Sequence, residues 1–332
     1  MVSTITYMKS ILNSMKRTHY NMPRHQAIVA LVLCSIFMLV TPSLSQTTRN
    51  GGTLNITTPH SYVNFQNFNG ATKGTVNNTS TMTVSGNLSN NLTGAAINNN
   101  AAGIISMTGV AGTYTNGAGT TTSNTATSTI KLAGAITNGA GTITTTNGTF
   151  EYLSTSAQTV FAGIVGNTYG NLTITGASTK TLGGGITVNT NLTLNTSATL
   201  SVSATNYNIS IGGSWLNNGG TFTAGTATVT LNGSGAQTIG GSSSTTFNIL
   251  TLSNSGTKTV NNIQAGTDVT AATLNILSTS GAVTNNGDIV VGSGGLTVQS
   301  SATLTNSSTL TLSGGDVMND GVITNNGTIT AP

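Results

Sequence analysis

The chain has 332 residues, enough for one large domain or two ordinary ones. Only 4% of them are charged, against about 25% in an ordinary soluble protein. Of the nine Lys and Arg residues, Lys9, Lys16, Arg17 and Arg24 lie near the start, and the five that remain balance five carboxylates; that leaves no basic cluster for nucleic acid or an anionic membrane.

In chain order, residues 1–45 read as a secretory signal. Basic residues precede an apolar run, AIVALVLCSIFMLV (27–40), and TPSLSQ follows. Ser43 and Ser45 supply the small residues of a cleavage site, which places cleavage after Ser45. The run is shorter than the roughly 20 residues that span a bilayer, so no transmembrane segment is expected in the mature chain. Met8, Met15 and Met22 are alternative starts. Cys34, the one cysteine, sits inside the run with Leu33 before it, where a lipoprotein site needs a small residue. The mature chain is therefore expected to carry no disulfide, although its compartment would allow one.

Residues 46–68 are assigned to an N-terminal cap region and 69–332 to a repetitive β domain. No proline occurs between residues 60 and 331, as suits continuous backbone pairing, since proline cannot donate to a ladder. Short segments alternate polar and apolar residues: MTV (82–84), TIT (142–144), NLTIT (171–175), TATVTLN (226–232), TLTLS (309–313). That is the strand period, and Gly/Asn/Ser turn residues follow each segment at once.

A longer repeat overlies this beat between residues 148 and 270. SAQTV (156–160) matches GAQTI (235–239), NTYGNLTIT (167–175) matches TTFNILTLS (245–253), and STKTL (178–182) matches GTKTV (256–260), each about 78 residues on. Self-similarity on two scales points to a solenoid. Strands this short cannot stabilise themselves singly, but stacked about 4.8 Å apart their Val/Ile/Leu faces merge into one core. Uncharged Asn and Thr stack on their own kind without repulsion. The predicted fold is all-β, a right-handed parallel β-solenoid (β-helix). The alternative is an array of small β-sandwich repeats, which the long offset would also suit.

The stretch GGSWLNNGGTFTAGTATVTLNGSGAQTIGG (212–241), followed by TTFNILTLSNSGTKTV (245–260), resembles the exported β-strand-repeat proteins of bacterial surfaces. More distantly it is similar to the passenger regions of autotransporter and filamentous-haemagglutinin adhesins. The resemblance covers residues 145–331, and 69–145 more loosely. It implies secretion, surface display and adhesive or structural roles, and it transfers no catalytic residue. Such proteins often end in an outer-membrane barrel or sorting domain, whereas this chain stops at TITAP, so more chain or another molecule is expected to follow.

Chemistry-bearing residues are sparse. His60, the one histidine beyond the leader, lacks the companions a metal needs. Asp316 and Asp320 are the close carboxylate pair, but calcium-binding β-helices repeat their acidic motif many times and this chain does not. Glu151 has no acidic neighbour in sequence to complete a hydrolase pair. No catalytic, cofactor-binding or metal residue is assigned. Asn-x-Ser/Thr sequons at Asn55, Asn87, Asn171, Asn191, Asn208 and Asn326 read as turn-plus-strand. Thr-x-Thr units suggest ice binding only if the threonines form one unbroken flat row. Phe150, Tyr152, Phe161, Tyr169, Trp215, Phe222 and Phe247 are assigned to the core.

The expected function is a secreted, extracellular or outer-surface structural or adhesive protein that is not an enzyme. The alternative is a filament or matrix subunit stacking end to end. Expected partners are host-surface or matrix glycans or proteins, or the chain itself, through a long shallow face and not through a small-molecule pocket. TNNGTIT (324–330) is read as one corner of a coil, with Ile329 entering the core and Thr328 and Thr330 facing out.

Overall fold

The computed structural model describes residues 47–263 and 266–331. The leader at 1–45, its apolar run and Cys34 lie outside the described residues.

Period-two alternation becomes stacked, inward-and-outward strands. Thr309–Leu312 and Thr228–Leu231 both bury every second residue, with Leu310 and Val229 inside and the threonines outside. Each coil lays strands on three faces in turn. In the first coil Thr53–Ile56 lies on face one, His60–Tyr62 on face two and Asn64–Gln66 on face three. The next coil places Thr75–Asn78, Thr81–Val84 and Leu88–Asn90 directly over them, in parallel. About 12 such turns make a parallel β-solenoid. Parallel pairing throughout replaces the antiparallel sheets that a sandwich array requires. Among the described strands one antiparallel pair occurs, the short hairpin of Phe68–Asn69 with Thr72–Lys73.

Coil pairing begins at Thr47–Arg49, which lies against Asn64–Gln66. Residues 47–68, the described part of the expected N-terminal cap region at 46–68, contribute rungs to the same ladders. Coil length varies in the corners, and the strands stay in register. The coil that brings Thr187 over Thr168 is visibly shorter than the one that brings Thr121 over Ala96. At some corners the strand runs straight through, as in Thr245–Leu252, which serves face three and then face one.

The core is a narrow apolar column. Val76, Ile97, Ile105, Ile130, Leu172, Leu192, Val229, Leu250 and Leu274 are all buried within it. Two aromatic clusters widen it. Phe150, Tyr152 and Tyr169 form one, with ring centroids 5.1–6.4 Å apart. Trp215, Phe222 and Phe247 form the other, packed edge to face at 4.8–5.0 Å around the indole, whose Nε1–H donates to Thr245 Oγ1 at 3.0 Å. The expected core role of these rings holds; Phe161 is half-buried against the column.

Corners bring backbones very close. A Cβ on Gly134 would stand 1.8 Å from the carbonyl oxygen of Gly112, and one on Gly256 would stand 1.9 Å from that of Gly235. Only glycine fits such an approach. Gly134→Ala is expected to lower the melting temperature by several degrees, equivalent to about 2 kcal/mol or more. Gly52→Ala, where a Cβ meets nothing within 4 Å, is the neutral control in the same thermal melt.

The long sequence repeat is not a whole number of turns. From Phe150 the face-two ladder runs to Leu172, Leu192 and Trp215, three turns on. The residue matching Phe150 in the second copy is Val229, which lies on face one, two faces further. The copies therefore share their local structure but look out from different sides of the solenoid.

Candidate functional surface

The residues common to the two repeat copies work inside the molecule. Gln158 donates its Nε2–H to the carbonyls of Leu132 and Gly134, at 2.9 and 2.6 Å, and accepts from Ser154 N–H. Gln237 repeats the network with Ile211, Gly213 and Gly233. The lysines of the two TKT motifs sit one rung higher, Lys180 beside Gln158 and Lys258 beside Gln237. Both are fully buried. Lys180 Nζ donates to Ser154 O at 2.6 Å, Gly176 O at 2.8 Å and Ser178 Oγ at 2.9 Å. Lys258 Nζ donates to the carbonyls of Gly256, Gly233 and Asn254. Removal from water lowers the Lys180 ammonium to about pKa 8 and lowers Lys258 in the same direction. Each Gln–Lys pair is a polar plug that satisfies corner carbonyls the apolar core could not.

Asparagines do the same work in the outer thirds of the chain. Asn67, Asn90 and Asn116 form a buried column in which each Nδ2–H donates to the next Oδ1, ending on Asn138. Asn78, Asn99 and Asn124 form a second column. Asn285 and Asn306, both buried, form a third that ends on the exposed Asn325. The same amides also reach backbone carbonyls, as from Asn99 to Thr129 and from Asn285 to Thr309. Reading asparagine as a turn residue misses these buried columns. A signal for them is present, since all of these asparagines except Asn124, which follows Thr122, stand two residues after an apolar residue on the inward face (Ile97–Asn99, Tyr114–Asn116, Leu304–Asn306), where the strand period points them inward.

The residues weighed for chemistry stay apart. His60 is exposed, its Nδ1 2.8 Å from Thr58 O. Glu151 pairs with Lys131 at 3.1 Å on the outside of face two. Asp316 and Asp320 are exposed on the last coil. Asp268 is buried and accepts from the backbone N–H groups of Ile263 and Asp288, which fastens a corner. No group of three or more His, Cys, Asp or Glu converges among the described residues, and none of their helices is long and apolar enough to cross a membrane.

What faces outward carries little charge and is mostly hydroxyl and amide. On face one the outward column runs Asn55, Asn77, Asn98 and Ser123, bonded amide to amide and hydroxyl to amide. It continues higher up as Thr187, Ser210, Thr230, Thr251, Asn275 and Thr297. Face three carries Thr179/Thr181, Thr199/Ser201 and Thr221/Thr223 on successive rungs. Serine and asparagine interrupt the face-one row, and Ser201 interrupts the row of Thr181 and Thr223 on face three, so neither of these is the unbroken threonine row that ice binding requires. Concavities open on the surface among the described residues. One of about 390 Å³ is lined by Val110, Ile136, Gln158 and Phe161, and one of about 460 Å³ by Phe222, Phe247, Ala272 and Val290.

Comparison with protein-family models, with curated proteins and with solved structures finds no match to this chain.

Proposed function

We propose that the chain is a secreted structural or adhesive surface protein that acts through its outer faces and performs no catalysis. The observation that carries this reading is the division of labour between inside and outside. The motif residues shared by the repeats are committed to buried corner bonds. The outside offers hydroxyls and amides on successive rungs about 4.8 Å apart, a shallow array suited to hydrogen-bonding an extended polymer such as a matrix glycan or protein. The resemblance to exported bacterial repeat proteins and the signal-like leader support secretion and surface display.

Binding of this kind would be weak per rung and additive along the face. Because the surface is nearly uncharged, it is also expected to change little with salt. Arrays of matrix glycans and proteins probed with the purified chain test this. Saturable retention, alike at low and high salt and weakened by Thr→Ala changes at Thr181 and Thr223, is expected. Retention that vanishes at high salt, or turnover of any arrayed polymer, would contradict the reading.

A further inference from the structure

The sheet on face three is broken twice. Its lower ladder ends at Ala135–Asn138, and a middle ladder begins at Gln158–Val160. That ladder ends in turn at Thr221–Thr223, and the upper one begins at Thr245. Each break opens to the surface. The concavity of about 390 Å³ lies at the lower break, lined by Ile136 and Thr159, and that of about 460 Å³ at the upper, lined by Phe222 and Thr246. From Thr159 the outward hydroxyls climb rung by rung through Thr181 and Ser201 to Thr223, the residue after Phe222. At about 4.8 Å per rung this row is roughly 14 Å long, and it runs from one concavity to the other.

We propose that this strip of face three is a binding site for one neutral polysaccharide chain, with a sugar ring held at each concavity and the hydroxyl row between them. The site rests on the reading of the chain as a surface-binding protein and narrows it to one face and one class of ligand. A pyranose has an apolar C–H face and a hydroxyl rim, and both linings pair apolar surface with hydroxyls. At the lower concavity Ile136 and Phe161 stand beside Thr159; at the upper, Phe222 and Ala272 stand beside Thr246 and Ser293. Among the described residues no Asp, Glu, Lys, Arg or His lines either concavity or the row, so a charged polymer gains no complementary charge there. A protein partner needs about 800 Å² of continuous contact, whereas the apolar surface here is confined to small openings separated by hydroxyls.

The lower opening is built with care. Leu88 and Tyr114, below Ile136 in the same inward column, are each 2% exposed, whereas the break leaves Ile136 half-buried. Beside it the backbone of Phe161 is fastened by two buried phenols. The Phe161 N–H donates to the Tyr152 hydroxyl at 2.8 Å, its carbonyl accepts from the Tyr169 hydroxyl, and the two hydroxyls bond each other at 2.8 Å. In the second repeat copy the residues matching Tyr152, Phe161 and Tyr169 are Leu231, Gly240 and Phe247. The first copy thus has the ring and both hydroxyls that position it, and the second has none of the three, although both copies form regular coils. A coil does not need these hydroxyls. Buried polar groups are tolerated only when bonded, and these two are bonded so as to fix an aromatic ring at an opening, the preorganisation a binding site requires.

Depletion of the full chain from solution by beads bearing a neutral glucan, a neutral galactan, a uronic-acid polymer or gelatin tests the site. Binding to a neutral glycan is expected. Phe161→Ala is expected to weaken it about tenfold. Ala157→Leu, which fills the lower concavity from an exposed position, is expected to weaken it to a similar extent with the melting temperature unmoved. Thr230→Ala, outward on face one, is the control and leaves binding unchanged. Glycan binding indifferent to both Phe161→Ala and Ala157→Leu overturns this site and leaves the surface-binding reading standing. Binding to gelatin or to the uronic-acid polymer alone overturns the ligand class. Binding to none of the four overturns the site, whatever wider arrays of matrix polymers retain.

Discussion

Asn99→Ala is expected to destabilise the lower third of the solenoid by about 3 kcal/mol, because it takes one bond from each of three buried polar groups, two of which keep another partner. The side chain is completely buried and holds three bonds at once. Its Oδ1 accepts from Asn78 at 2.7 Å, and its Nδ2 donates to Asn124 at 2.8 Å and to the Thr129 carbonyl at 3.0 Å. Truncation leaves three buried polar groups one bond short, at about 1 kcal/mol each. Asn99→Leu restores much of the volume and none of the bonds, so it is expected to fare no better. Asn98→Ala removes two bonds, to Asn77 and from Ser123, in a half-exposed outward row that water can re-satisfy and is expected to cost under about 1 kcal/mol. A solenoid unfolds by neighbouring repeats, so amide exchange is the suitable readout beside the thermal melt. Lost protection is expected to centre on strands Thr75–Asn78, Ala96–Asn99 and Thr121–Asn124, which carry the column. Equal stability of Asn98→Ala and Asn99→Ala would show that the buried columns do not hold the coils together.

Raising the pH from 8 to 10 is expected to stabilise the fold, and Lys180→Met to remove most of that gain. An unfolded lysine binds its proton up to about pH 10.5, whereas the buried Lys180 releases it near pH 8. Between those values the unfolded chain carries more protons than the folded one, so unfolding grows less favourable as the pH rises. The full difference is on the order of 3 kcal/mol for this residue, and Lys258 acts in the same direction. The tyrosines set the upper limit. Burial raises Tyr114, Tyr152 and Tyr169 well above their ordinary value. They keep their protons in the fold while unfolded phenols ionise above about pH 10, so stability falls again there. A stability maximum near pH 10 follows. Denaturant titrations of the native chain and Lys180→Met at pH 7, 8, 9 and 10 read this directly, and parallel curves for the two would contradict it.

Much of the architecture is legible in the residues, for a simple reason. A strand with one face inside and one outside must alternate, and Thr309-Leu310-Thr311-Leu312 does so without exception. The aromatic positions follow from the repeat, since Tyr169 and Phe247 occupy matching inward sites. Other features escape because residue type misleads. Asn325 reads as a corner residue, yet its side chain lies in the inward column with Asn306. Lys180 and Lys258 read as part of the surface charge balance, yet both are buried plugs. A lysine looks exposed in sequence because its charge is costly to bury, and only the carbonyls of two adjacent corners, far apart in the chain, make burial tolerable here. The third-of-a-turn mismatch of the long repeat is also hidden. Coil length varies, as the pairings of Thr168 with Thr187 and of Ala96 with Thr121 show, so the repeat spacing divides into turns only once the register is known. For the outer surface, composition is plain in the sequence, and the structure adds which residues share a row.

The stacking of coils can be measured directly as a distance. Thr187 and Thr297 lie far apart in the chain, and both face outward on face one. The ladder between them passes through Ser210, Thr230, Thr251 and Asn275, five rungs in all. At about 4.8 Å per rung the two positions lie roughly 24 Å apart. Spin labels on cysteines placed at these sites, with Cys34 replaced, are expected to give a narrow distance distribution near that value, broadened by the label arms. A broad distribution centred at about 60 Å, the span of an unpaired flexible chain of that length, would contradict the solenoid.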